Sequence, residues 1–151
     1  MSSRLVKMAV VTIIAAAGMT LPIQASREDL RHQEQINSTW HSFKLETIKE
    51  QLAAGRIVFV DVTADWCLSC KYNKFMVLDR DKTIKLLKEN NVYALRGDLT
   101  SHNQAVYDYV VANGAYGIPF YKIYGPKKPD GIILPIIISY SDLKSAIKEV
   151  W

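Results

Sequence analysis

The hydrophobic and polar positions of this chain change period several times after residue 40, and each change marks an element. Trp40-His41-Ser42-Phe43 alternates apolar and polar residues, which predicts a short first strand. Leu45, Ile48, Leu52 and Ala53 then recur at helical spacing, and Gly55 closes that helix. Ile57-Val58-Phe59-Val60-Asp61-Val62-Thr63 is a β-branched, apolar run broken only by Asp61, and it reads as a buried central strand. A helix opens at Cys67 and carries Cys70, Tyr72, Asn73, Phe75 and Met76; Ile84, Leu86 and Leu87 mark a further amphipathic turn or two, ending at Asn90-Asn91. Residues 92–98 alternate as a strand, and residues 102–113 place Val106, Tyr109 and Val110 on one helical face before Gly114. Residues 119–124 predict another strand, and the Gly/Pro-rich stretch 125–131 predicts a turn. Ile132-Ile133-Leu134 is the last expected strand, at or near an edge because Pro135 has no N–H to donate. Ser139 or Ser141 caps a final helix through Leu143, Ile147 and Val150. The order β-α-β-α-β-α-β-β-α predicts an α/β fold, a mixed central sheet with helices on both faces.

The N-terminal 39 residues follow none of these patterns. Arg4 and Lys7 precede an apolar and small-residue run from Met8 to Met19, with Pro22 and then Ile23-Gln24-Ala25 before Ser26. This reads as a signal peptide (residues 1–25) cleaved after Ala25. A membrane anchor is the alternative, but the run falls short of the roughly 20 residues that span a bilayer and Pro22 interrupts its continuation. Residues 26–39 are polar and predict a loose extension ahead of a domain over residues 40–151. Removing Arg4 and Lys7 from the 19 basic residues leaves 17 against 15 acidic ones, a balance of only +2. That gives no argument for nucleic acid or an anionic membrane surface as a partner.

The chemistry is concentrated where the central strand hands over to a helix. Cys67 and Cys70 are the only cysteines in the chain. Thiols three positions apart can close a small disulfide ring, and free N–H groups at the helix start favour a thiolate at the first of them. A ring this small stabilises a fold little, so an exported chain with this single pair points to chemistry rather than to a structural staple. A zinc ligand pair, a haem attachment and an inert disulfide are the other readings. Zinc wants four ligands, and His32, His41 and His102 show no ligand spacing; ordinary haem attachment needs a histidine where Lys71 stands. No metal or cofactor is expected beyond the disulfide itself. Cys67 is then the exposed nucleophile and Cys70, one turn inside, the resolving thiol. Asp61, in an apolar strand, is costly unless protonated, paired or functional, and burial would raise its pKa into a range suited to proton exchange; a solvent-facing strand-end carboxylate is the alternative.

The segment Val60-Asp61-x-x-Ala64-x-Trp66-Cys67-x-x-Cys70-Lys71 resembles the active-site segment of the thioredoxin superfamily. Ala64-Asp65-Trp66-Cys67-Leu68-Ser69-Cys70-Lys71 is especially similar to the C-terminal domain of the DsbD family of thiol:disulfide interchange proteins. Tyr116-Gly117-Ile118-Pro119 matches the superfamily's cis-proline loop, and the similarity covers about residues 45–150. The resemblance implies a thioredoxin fold and a disulfide oxidoreductase. It implies that Asp61 exchanges a proton with Cys70, and that Pro119 is cis beside the sulfurs, against the alternative of a trans proline opening an edge strand. It also implies that the Ile118 backbone pairs with an extended substrate. Trp66 would offer partners a flat apolar contact or belong to the core, and Asp65 and Lys71 would tune the cysteines or be plain solvent-facing charges.

Leu68-Ser69 contains no histidine to stabilise a thiolate, so the dithiol is expected to be an electron donor. By the same resemblance the chain reduces or exchanges disulfides of periplasmic proteins as a monomer. No counterpart of the family's electron-carrying membrane domain is expected in this chain, so a separate membrane-embedded donor is. Phe120 stands where thioredoxins commonly carry threonine, so partner preference does not carry over. A disulfide oxidase or isomerase, and a non-enzymatic binding module on the same scaffold, are the competing functions.

Overall fold

The computed structural model describes residues 26–151, so the leader and its cleavage site lie outside the described residues. Residues 26–39 are helical (α1), not the loose extension their polarity predicts. The stretch contains neither glycine nor proline and is rich in Arg, Glu and Gln, so nothing in its backbone preferences opposes a helix. Its polarity reports exposure, which is a separate property from disorder. Among the described residues no helix is long and apolar enough to cross a membrane.

Residues Ile36–Trp151 form a compact unit. Its elements are β1 (Trp40–Ser42), α2 (Leu45–Ala53), β2 (Ile57–Thr63) and α3 (Leu68–Asn73), which runs on into a π turn over Lys74–Leu78. There follow α4 (Asp81–Glu89), β3 (Val92–Asp98), α5 (Gln104–Ala112), β4 (Phe120–Gly125), β5 (Lys128–Ile133) and α6 (Tyr140–Val150). The sheet order is β1-β3-β2-β4-β5. β1 and β2 lie parallel to β3, whereas β4 runs antiparallel to β2 and β5 antiparallel to β4. This is the mixed α/β sheet of a thioredoxin fold.

The strictly alternating side chains of β2 divide the core in two. Ile57 and Phe59 join Val77, Leu78, Leu87, Tyr121, Leu143 and Ile147 on the face covered by the π turn, α4 and α6. Val58, Val60 and Val62 join Ile48, Val106, Val110 and Phe120 on the face covered by α2 and α5. A strand buried on both faces in this way needs apolar residues at every position, which is why β2 reads as an unbroken run. Asp61 is the exception, and it shares the first face with Phe59.

The C-terminal hairpin differs from its expected form. The turn is only Pro126-Lys127, and β5 starts at Lys128 instead of Ile132. Pro129 is tolerated because β5 is an edge strand. Gly131 marks no turn: it sits inside β5 at φ +76, and a Cβ there would come within 2.7 Å of the Tyr124 ring and Lys122 Cε. α6 begins where expected, with Ser139 and Asp142 forming a reciprocal capping box.

Candidate active site

The β2–α3 junction is a tight turn in which Cys67 N donates to Ala64 O at 3.1 Å. Cys67 is itself the N-cap of α3, in extended conformation, and its Sγ accepts the backbone N–H of Cys70 at 3.2 Å. The Ser69 hydroxyl lies 3.7 Å from the same sulfur. Two polar groups therefore face the atom on which negative charge would form; the helix-start N–H is the kind of donor the sequence reading expected, and the Ser69 hydroxyl is one it did not. Cys67 and Cys70 are joined as a disulfide with Cα atoms 5.3 Å apart.

Cys70 is the more buried of the two, at 1% exposure against 6% for Cys67. The order is as expected, but Cys67 is less open than a free nucleophile would be. Both cysteines pack with Ala64 against Leu99 and Ile118, and these close the ring from the side of the neighbouring loops. The Ile118–Pro119 peptide bond is cis, and Pro119 is buried.

The loop after β3 holds the turn that presents the sulfurs. Leu99 N donates to Thr63 O at 2.8 Å, Asp65 N to Thr100 Oγ1 at 2.9 Å, and Trp66 Nε1 to Leu99 O at 3.2 Å. Thr100 N in turn donates to Asp98 Oδ1 at 2.7 Å. Asp98 and Thr100 are supporting residues that sequence reasoning missed, because nothing in the chain's local pattern couples residues 35 positions apart. Trp66 is no core residue: it is 64% exposed beside the disulfide. Together with Leu99, Tyr107, Val110, Tyr116 and Ile118 it lines a largely apolar groove of about 640 Å³. Asp65 and Lys71 are exposed on either side of the pair.

Asp61 is buried at 1% exposure, which excludes the solvent-facing alternative. It is paired, however, in a way its strand position did not reveal. Arg96, its register partner on β3, donates from Nε to Asp61 Oδ2 at 2.8 Å and from Nη2 to Asp79 Oδ1 at 2.9 Å. Burial pushes the Asp61 carboxyl above its ordinary range, with Arg96 and Lys74 opposing the shift and Asp79 adding to it. Burial also works against the Arg96 charge, but the two carboxylates more than offset it and hold its pKa above the ordinary value. On β4, Tyr121 is the register partner of Asp61, and its hydroxyl accepts Asn73 Nδ2 at 2.9 Å. Asn73 lies one turn beyond Cys70 on α3. A buried polar layer thus runs beneath the active-site helix, built from β2, β3, β4 and the end of the π turn.

Such an arrangement can do two things chemically. The helix start and Ser69 can stabilise a thiolate at Cys67, and the buried carboxylate below α3 can exchange a proton within a site that excludes bulk water.

Comparison with known proteins agrees with this geometry. No curated protein matches the chain in sequence. Among solved structures it is similar in fold to a thioredoxin from Thermus thermophilus, with 16% identity and a TM-score of 0.56 over 74% of this chain and 87% of that one. It is similar also to the C-terminal domain of DsbD from Neisseria meningitidis in its reduced form, with 16% identity and a TM-score of 0.54 over 74% of this chain and all of that one. The first thioredoxin domain of mouse protein disulfide-isomerase A4 matches at 19% identity and a TM-score of 0.53, over 72% of this chain and 73% of that one. The thioredoxin-like family itself matches residues 39–126, from the first strand through the cis-proline loop to the β4–β5 turn. With that match over more than half its length, the chain belongs to the thioredoxin-like family.

Proposed function

We propose that this protein is an exported thiol:disulfide oxidoreductase that reduces or exchanges disulfides of periplasmic proteins. The observation that carries the reading is the Cys67–Cys70 disulfide at the start of α3, packed against Ile118 of the cis-proline loop. In the dithiol form, the Cys67 thiolate attacks one sulfur of a substrate disulfide. A mixed disulfide forms and one substrate thiolate leaves. Asp61 takes the proton of Cys70, whose thiolate then attacks Cys67 Sγ and expels the second substrate thiolate. The products are the Cys67–Cys70 disulfide and a substrate dithiol, so two electrons have moved to the substrate. Return to the dithiol needs a separate reductant, for which a membrane-embedded dithiol protein is the expected class. No metal or further cofactor enters this scheme, and the protein works as a monomer. Trp66 and the Ile118 backbone receive the substrate, while Asp65 and Lys71 adjust the charge around the pair.

The test joins a trap and a potential. Cys70→Ser, expressed with its native leader, should accumulate mixed disulfides through Cys67 with periplasmic proteins. A protein that forms none is a binding module, not an enzyme. The wild-type couple, equilibrated with glutathione, should lie near about −270 mV; a value near about −120 mV would make the protein a disulfide donor and overturn the direction of electron flow.

A further inference from the structure

Three connections meet at the end of the sheet that bears the disulfide. β4 runs antiparallel to β2 and β5 antiparallel to β4, so β5 points the same way as β2 and ends at the same pole. The turn after β2 carries Cys67 there, and Pro119 leads into β4 there. The third connection, residues 134–139, runs from β5 to α6. Leu134 and Ile138 anchor it in the core, and Ser139 caps α6. Between these anchors Ile136 and Ile137 are 64% and 57% exposed, so neither belongs to the core that holds the loop. Asn73 ties this loop to the active-site helix. It is fully buried one turn beyond Cys70, and its Nδ2 donates to Ile136 O at 2.7 Å and to the Tyr121 hydroxyl at 2.9 Å. A carbonyl can only accept, so the bond to Ile136 fixes which way the amide faces. A buried amide is costly unless its hydrogen bonds are made, and here both N–H groups go to other elements, which braces α3 against β4 and the loop at once. Isoleucine is stiff at χ1, so two neighbouring isoleucines on a braced backbone form a fixed apolar edge.

We propose that Asn73 is a positioning residue that holds Ile136 and Ile137 as an apolar edge for the chain flanking a substrate disulfide. The substrates so selected are polypeptides with bulky apolar residues beside the cysteine, in preference to small disulfides. The proposal rests on the reading of this protein as a thiol:disulfide oxidoreductase and names the substrate class of that site. Leu134 and Ile138 belong to the core on the α6 face of the sheet, whereas Val110, in the lining of the groove beside Trp66, belongs to the α5 face. The pole that bears the sulfurs therefore carries apolar surface toward both faces of the sheet. A polypeptide running past the sulfurs can bury side chains on both, and a small disulfide reaches little beyond the sulfurs themselves. Removing the Asn73 amide leaves the Ile136 carbonyl without its donor and lets the loop move, so the edge is no longer pre-organised for a bound chain. Asn73 acts through the loop and not on the sulfurs, so its loss weakens binding more than the chemical step.

The experiment measures single-turnover reduction by the pre-reduced protein over a range of substrate concentrations. Three substrates are compared: a peptide disulfide with leucine on both sides of each cysteine, the same peptide with serine there, and glutathione disulfide. Wild type should half-saturate with the leucine peptide at a concentration at least about tenfold lower than with the serine peptide. Ile136→Ser combined with Ile137→Ser should abolish most of that difference by raising the half-saturation for the leucine peptide, with a far smaller change in the limiting rate. Asn73→Leu, which keeps an apolar side chain of similar size under the helix, should do the same. If Asn73→Leu does not fold, the double isoleucine variant, altered only at exposed positions, decides the matter. Equal half-saturation of wild type with both peptides overturns the substrate class. A leucine preference that survives in the double variant overturns the edge, because the groove beside Trp66 then carries it alone. An Asn73→Leu protein that loses as much on glutathione disulfide as on the leucine peptide has a merely structural asparagine, which overturns the positioning role. A wild-type protein that reduces none of the three substrates overturns the functional reading itself, and that outcome is distinct from the others.

Discussion

Ser69→Ala tests how far the active-site sulfur is stabilised by its immediate neighbours. In the structure the Ser69 hydroxyl is 3.7 Å from Cys67 Sγ, and the Cys70 N–H is 3.2 Å from it. When Cys67 is a thiolate both groups donate to it, and the substitution removes only the first. A hydrogen bond to a charged group is worth about 1.5–3 kcal/mol, and the length and partial exposure of this one place it below that range, at about 1 kcal/mol. For a two-electron couple that corresponds to roughly 20 mV. The sign follows from which form loses the contact: the dithiolate side is destabilised more than the disulfide, so the potential falls and the protein becomes a slightly stronger reductant. The effect is complete only where Cys67 is ionised and fades as the pH drops below its titration. The assay is equilibration with dihydrolipoic acid at several pH values, combined with the pH dependence of alkylation by iodoacetamide, whose midpoint should rise. A potential that stays within about 5 mV of wild type at alkaline pH, or that rises, would show that the hydroxyl does not reach the thiolate.

Two further outcomes concern the layers around the site. Because burial raises the Asp61 carboxyl above its unfolded value, the folded state binds a proton that the unfolded state has already lost; stability from this group is full below the unfolded value and is lost as pH rises through the folded one. Asp61→Asn should therefore gain stability toward urea relative to wild type as the pH rises from 4 to 8; a difference that stays the same at both pH values would refute the argument. Leu78, in the π turn and fully buried against Phe59 and its neighbours, should cost about 2–5 kcal/mol of unfolding free energy when changed to Ala. A loss under about 1 kcal/mol, read from urea midpoints, would mean the layer beneath α3 collapses to fill the space.

Much of this protein is legible without coordinates, and the reasons are local. β2 and β3 have the bounds expected from periodicity because a doubly buried strand must be apolar throughout and a half-buried one must alternate. The Cys67–Cys70 spacing announces its ring because three residues of chain hold the two sulfurs within reach of each other. Errors fell where composition stood in for conformation: polar residues 26–39 are helical, and a Gly- and Pro-rich stretch is mostly strand.

What the sequence by itself determined is the order of strands and helices from β1 onward, the redox pair, and a carboxylate in an apolar strand that had to find a partner, remain protonated or face solvent. Only the tertiary structure decided which partner that is. Arg96 and Asp79 lie 35 and 18 positions from Asp61 along the chain, and they meet because β3 pairs with β2 in register and a π turn carries Asp79 to the other side of the guanidinium. The same is true of Thr100 and Leu99, which hold the Asp65-Trp66 turn from the far end of β3. Periodicity reports which face a residue occupies; sheet register and helix bulges, which arise from packing of the whole chain, decide what it touches there.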